Sequence, residues 1–256
     1  MSKLSGQHLI KYDRDGVVFP IRVFSIEEAV TFRQELESVA GKCGGMPKRF
    51  DSLHLFFPWA YRLATQTTVL DAVESLLGED ILIDGTLVFY KPPRDSSYVS
   101  WHQDSVYSGW HLTPSTSAWI ALTGSQPENG CMRVIPGSHK HGSLAHSSVR
   151  DDSNLLRRGE RVDVTVDESA ALDVILQPGE MSLHQSTIVH GSNVNSSDGP
   201  RIGFIVRFVT NRAANSGRAM MRARGQSDCG HLTLADQPIE ADQQTALARW
   251  RAFTGA

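Results

Sequence analysis

The chain has 256 residues, 40% of them hydrophobic and 21% charged, with a net charge of -3. That is the balance of an ordinary soluble globular protein, long enough to bury a core without disulfides and without the cationic surplus expected of a nucleic-acid or anionic-membrane binder. No apolar run approaches the roughly 20 residues of a membrane span, the N-terminus lacks a signal peptide's apolar centre, and Cys43, Cys131 and Cys229 are odd in number with no CxxC, so a reducing cytoplasm is the simplest compartment.

Helical signals come first along the chain. "VFSIEEAVTFRQELESVAGKCGG" reads as a helix with Ser25 and Glu28 as a capping box and Gly41 able to end it. "TTVLDAVESLLG" reads as a second, with Thr67 or Thr68 as N-cap and Gly78 closing it. After Gly78 the texture becomes β-rich. "DILIDGTLVFYKPP", "SSYVSWHQDSVY", "STSAWIALTGS", "CMRVIPGSH", "RVDVTVDES", the pair around Pro178-Gly179, and "PRIGFIVRFVT" give seven or eight short strands separated by turn residues. In "RVDVTV", Val162, Val164 and Val166 share one strand face. The stretch 143–159 is polar and irregular, and "IEADQQTALARWRAF" suits a terminal helix. No linker divides the chain. It is expected to be a single domain over 1–256: a helical region at about 25–78, a mainly β sandwich or barrel core at about 80–210, and a tail at 211–256.

The chemistry starts at "WHQD". On a strand, residues i and i+2 share a face, so His102 and Asp104 project together and Gln103 points away. A lone HxD is weak, because a half-exposed strand accommodates both residues without a metal. A second histidine would complete the 2-His-1-carboxylate set that suits non-haem Fe(II). His190 is well placed, after the apolar "TIV" and before Gly191. Arg201 opens the core strand "RIGFIVRF" eleven residues later. A buried arginine needs a carboxylate, from the protein or from a small ligand, and the residues alone leave that choice open.

Read together and in order, "KYDRDGVVF", "YKPP", "WHQD", "AWIAL", "ENGCMRVIPGSHKHG" and "HGSNVNSSDGPRIGF" resemble the phytanoyl-CoA dioxygenase family of Fe(II)- and 2-oxoglutarate-dependent oxygenases, from about residue 8 to about residue 209. The resemblance implies a double-stranded β-helix, or jelly roll, with helices packed outside. It implies Fe(II) on His102, Asp104 and His190, with 2-oxoglutarate and O2 as cosubstrates. By the same carry-over Arg201 takes the far carboxylate of 2-oxoglutarate, Ser192 and Trp119 are further contacts, Leu87 lines the pocket, and His184 is a lining residue rather than a ligand. The implied activity is hydroxylation of an unactivated C–H bond of a small metabolite with release of succinate and CO2. Asp104 favours hydroxylation over chlorination, since halogenating relatives carry Ala or Gly there. Desaturation, cyclisation and a non-catalytic jelly roll are the alternatives. Tyr107, Trp110 and Arg133 are candidate substrate contacts, and Arg218, Arg222 and Arg224 are candidates for a lid over an anionic substrate.

Overall fold

A computed structural model describes residues 3–107, 114–213, 217–239 and 242–255. The chain opens with helix α1 (Gly6–Asp15), capped by the Ser5 hydroxyl, which accepts from the His8 amide. Strand β1 (Val17–Arg22) follows and joins the main sheet. Neither was expected; of the apolar residues of α1 only Tyr12 is buried, while Leu9 and Ile10 are exposed. Helix α2 (Ile26–Lys42) has the expected capping box, with both Ser25 and Glu28 bonds formed. A short strand β2 (Arg49–Asp51) and helix α3 (Pro58–Ala64) precede α4 (Thr67–Leu77). The N-cap of α4 is Gln66 rather than a threonine: the Thr68 hydroxyl is turned away to donate to the Val23 carbonyl at 2.8 Å.

The β core runs through β3 (Ile81–Lys91), β4 (Val99–His102), β5 (Ser115–Ala121), β6 (Met132–Val134), β7 (His146–Ser148), β8 (Glu160–Val162), β9 (Leu172–Val174), β10 (Glu180–Gln185), β11 (His190–Ser192) and β12 (Arg201–Thr210). The tail adds β13 (Met220–Arg224), β14 (Leu234–Ala235) and the expected terminal helix α5 (Gln243–Thr254), capped by Asp242. The valine alternation after Glu160 does not continue as strand. β8 ends at Val162, and Val164 is exposed.

Among the described residues the large sheet has the order β1-β10-β5-β12-β3-β13-β14, with β2 also on β3, and the small sheet β4-β11-β6-β9. The arrangement is a jelly roll. Two cores explain how it stands. One packs the helices on the outer face of the large sheet, through Leu36, Leu63, Val73, Phe204 and Phe208. The other lies between the sheets, where Leu87, Phe89, Trp119 and Ile205 meet Val99, Met132, Val134 and Val174. The period-2 alternation of β12 divides its residues between them: Phe204 and Phe208 turn to the helices, Gly203 and Ile205 to the inter-sheet space.

Candidate metal and oxoacid site

The inter-sheet space is where the chemistry gathers. In the small sheet His190 of β11 is paired in register with His102 of β4, so residues 88 apart in sequence become cross-strand neighbours with rings 4.1 Å apart. Alternation predicted Asp104 on the same strand as His102, and the structure corrects this. β4 stops at His102, and Asp104 opens a 3-10 turn, Asp104–Tyr107. Gln103 makes that turn possible. It is fully buried, donating to Gly142 O and accepting from the Leu144 amide, which ties the chain down on the side opposite the ligands.

The ligand atoms of His102, Asp104 and His190 lie within 4.8 Å of one another. Their surroundings set their state. His102 Nδ1 faces the carbonyls of Ser100 (2.9 Å) and His190 (3.1 Å), and His190 Nδ1 faces that of Ile188 (3.1 Å). Carbonyls only accept, so both rings carry a proton on Nδ1, which leaves Nε2 as the nitrogen available to a metal. Burial holds His190 well below the ordinary histidine range, so it is neutral. Burial alone would raise Asp104, but the charge of Arg207 overcomes it and holds the carboxylate well below its usual range. Two imidazoles and one carboxylate on one face are the donor set that suits Fe(II) and leaves positions open. Ser117 donates to Asp104 Oδ2 at 2.7 Å, and Arg207 Nη2 lies 3.3 Å from Oδ1. His184 lines the same cavity, with Nε2 3.7 Å from Asp104 Oδ2.

At one end of this space stand Arg201 and Lys91, paired in register across β12 and β3. Both are buried, at 1% and 0% exposure, and their hydrogen bonds go to carbonyl and hydroxyl oxygens rather than to carboxylates. Arg201 Nη1 donates to Gly130 O at 2.7 Å and its guanidinium lies 5.2 Å from the centre of the Trp119 ring. Arg201 Nε is buried without an acceptor. Lys91 Nζ donates to Ser192 Oγ at 2.7 Å and to the Asn193 carbonyl. Burial, then the charge of Arg201, pulls Lys91 down to about 6, and burial brings Arg201 down to about 10. Gly203 keeps the indole in place, since a Cβ there would meet Trp119 Cζ2 at 2.0 Å. Two adjacent basic groups so deeply buried, with oxygen acceptors of partial charge alone, suit an entering carboxylate. Sequence reasoning passed over Lys91, although "YKPP" contains it. The signal was a lysine ending a strand otherwise almost continuously apolar.

The structure therefore brings His102, Asp104, His190, Ser192, Trp119 and Leu87 to one cavity, with Arg201 behind Trp119. Arg133 does not reach it. Its side chain turns outward to Glu168 (2.7 Å) and Asp173 (3.4 Å) and lies over Trp101, while its neighbour Met132 faces the cavity. The β6 alternation allowed either residue, and the outer carboxylates decide it. Trp110 lies outside the described residues, as does the Tyr107 side chain. Of the tail arginines, Arg222 is bound to Ser227 O and Arg224 to Asp71 and Glu74, away from the cavity; Arg218 is at its mouth.

A jelly roll that sets two histidines and a carboxylate around a largely apolar cavity, with buried basic groups alongside, is the framework of a non-haem iron oxygenase that takes 2-oxoglutarate. The chain belongs to the phytanoyl-CoA dioxygenase family, whose sequence profile matches residues 12–203. It is 26% identical over 241 residues to an ectoine dioxygenase of Sphingopyxis alaskensis, covering 82% of this chain and 78% of that protein. It is 25% identical over 156 residues to the human peroxisomal phytanoyl-CoA dioxygenase, covering 59% of this chain and 46% of that one. Among solved structures, the non-heme monooxygenase ThoJ superposes with a TM-score of 0.81 at 31% identity, over 96% of this chain and 94% of ThoJ. Relatives have been solved with iron and with 2-oxoglutarate bound.

Proposed function

We propose that the chain is an Fe(II)- and 2-oxoglutarate-dependent hydroxylase of a small anionic metabolite. One observation carries the reading: the inner face of the large sheet bears cations at both ends of an apolar band. Along β12 the inward positions run Arg201, Gly203, Ile205 and Arg207, and β3 places Lys91, Phe89 and Leu87 opposite the first three. His102, Asp104 and His190 would hold the metal across from this band, where iron supplies the O2-dependent oxidation of a C–H bond as 2-oxoglutarate becomes succinate and CO2.

The remaining roles belong to the chain. Arg201 and Lys91 hold the far carboxylate of 2-oxoglutarate, with the Ser192 hydroxyl fixing the Lys91 ammonium and Trp119 backing the guanidinium. Leu87, Phe89, Met132, Leu156 and Ile205 wall the cavity and exclude water, which strengthens every charge interaction inside. Asp104 keeps a carboxylate in the third ligand position, which supports transfer of oxygen rather than chloride. Arg207 faces the open end, where an anionic substrate would enter.

The test is reconstitution without oxygen with Fe(II) and 2-oxoglutarate. Oxygen is then admitted with a panel of small carboxylates and phosphonates beside neutral and cationic analogues, and succinate is counted. At least one anionic compound is expected to stimulate succinate release and to gain one oxygen atom. Stimulation by none of the anions would sink the anionic-substrate reading. A product two hydrogens lighter would replace hydroxylation by desaturation.

A further inference from the structure

The open end carries a group that the oxygenase chemistry leaves unused. In the β12–β3 register Arg207 is opposite Gly85 and Phe208 is opposite Ile83, so Asp84 is the extra residue of a β-bulge. Bulges re-aim side chains and are concentrated beside active sites. This one turns a carboxylate into the wall of a cleft of about 530 Å³ that shares Leu87 and Arg207 with the metal cavity. The Asp84 side chain is 1% exposed. Its Oδ1 accepts from Arg218 Nη2 at 3.1 Å, and its Oδ2 is buried with no donor. A buried carboxylate oxygen without a donor is rare in a folded protein and calls for an account. Burial raises Asp84 to about 6 despite Arg218 and Arg207 nearby.

Most charged residues in the rest of the wall are cationic. Five arginines, among them Arg158, Arg207 and Arg218, stand with two aspartates, Asp51 and Asp84, in a chain whose net charge is -3. The cleft thus offers a cationic surface for an acid group and, within it, one buried oxygen that accepts a hydrogen bond. Its volume suits a small molecule. Arg207 belongs to both spaces and lies 3.3 Å from Asp104, so an acid group on Arg207 brings the adjoining carbons toward the metal ligands.

We propose that this mouth binds a small zwitterion, with its carboxylate on the guanidinium groups of Arg207 and Arg158 and its ammonium on Asp84 Oδ2. The proposal rests on the oxygenase reading for the meaning of the neighbouring metal ligands, but binding itself needs no turnover. The carbons between the two charged groups are then the ones presented for oxidation. Asp84 becomes the residue that separates amino acids from simple acids.

Calorimetric titration of the Fe(II)- and 2-oxoglutarate-loaded protein without oxygen tests it. The probes are the free proteinogenic amino acids, the matched acids lacking the amine, and the matched amines lacking the acid. At least one amino acid should bind tenfold or more tightly than both of its counterparts. Asp84→Asn should abolish the preference over the des-amino acid while leaving that acid's own affinity unchanged. Arg161→Gln, on a separate cleft, should alter neither. Equal binding of an amino acid and its des-amino partner, no binding by any probe, or an unchanged preference in Asp84→Asn overturns the proposal. The wild-type series decides alone if the variant does not fold. The oxygenase reading fails separately, by absence of the visible charge-transfer band on adding Fe(II) and 2-oxoglutarate, which requires no third ligand.

Discussion

The two ends of the inter-sheet space use the same device and differ in what surrounds it. At one end Arg201 and Lys91 are sealed, 1% and 0% exposed, and bonded to carbonyl and hydroxyl oxygens. At the other Arg207 and Arg218 face a cleft, with side chains 16% and 46% exposed, and are interleaved with Asp104 and Asp84. A sealed pair of basic groups takes its countercharge from a ligand of one shape, because nothing else reaches it. An open, mixed lining can be rewritten by single substitutions without unbalancing the core. The first kind of end suits a cosubstrate shared by a family, the second a substrate that distinguishes its members.

The largest expected effects fall between the ends. His190→Ala or His102→Ala removes one of three metal donors, so turnover should drop below detection and the Fe(II)–2-oxoglutarate band should disappear; a band of normal intensity in either variant would exclude the triad. Next comes Arg201→Ala. A buried charge pair broken from one side costs roughly 3–5 kcal/mol, so the requirement for 2-oxoglutarate should rise by about two orders of magnitude or more, with little change in affinity for the primary substrate. An unchanged 2-oxoglutarate requirement would mean that the sealed end holds something else.

Much of this was legible before any coordinates. The β-rich texture, the two N-terminal helices and the terminal helix follow from local periodicity and caps, which the chain writes within a dozen residues. His102, Asp104, His190 and Arg201 were singled out through linked motifs, and the fold gathers the first three within 4.8 Å of one another. Register was not. That His190 sits opposite His102, and Lys91 opposite Arg201, depends on strand pairing between segments far apart in sequence. Lys91 escaped notice because a lysine beside two prolines reads as a strand end at the surface. Asp84 escaped because its orientation comes from a bulge, one extra residue that alternation cannot anticipate. The Gln66 cap was lost to a tertiary contact, the Thr68 bond to Val23.

A smaller and more diagnostic effect belongs to Lys91. Burial and Arg201 bring it from its ordinary 10.5 to about 6. Between those values the folded chain holds fewer protons than the unfolded one, so this residue makes the ligand-free protein gain stability as pH rises across the window and lose it toward pH 6. A carboxylate arriving beside it restores the charged form. Binding of 2-oxoglutarate near pH 7.5 should therefore take up about one proton, seen as a binding enthalpy that depends on the buffer's ionisation enthalpy. Lys91→Met should abolish that dependence and weaken binding roughly tenfold, in the range of a hydrogen bond to a charged group. Identical enthalpies in phosphate and Tris for the wild type would show that Lys91 is already charged, and would remove the contrast between a ligand-completed end and a self-balanced one.

The smallest effect tests the open end by its cost. Asp84 titrates at about 6 in the fold against an ordinary 3.8. Between these values the folded state holds more protons than the unfolded, so the contribution of Asp84 to stability falls as pH rises through the window and is least favourable at neutral pH. Asn has nearly the same shape and no charge. Asp84→Asn forfeits the pair with Arg218, but that arginine is 46% exposed and such a pair is worth about 0–1 kcal/mol. At pH 7.5 the ligand-free variant should be more stable than the wild type by on the order of 1–3 kcal/mol, a gain that shrinks as pH falls below 6. A site retained against stability in this way is the usual mark of a residue kept for binding. Equal unfolding temperatures for variant and wild type at pH 7.5 would mean that the bulge carboxylate is already balanced within the fold, leaving the mouth with nothing to ask of an amine.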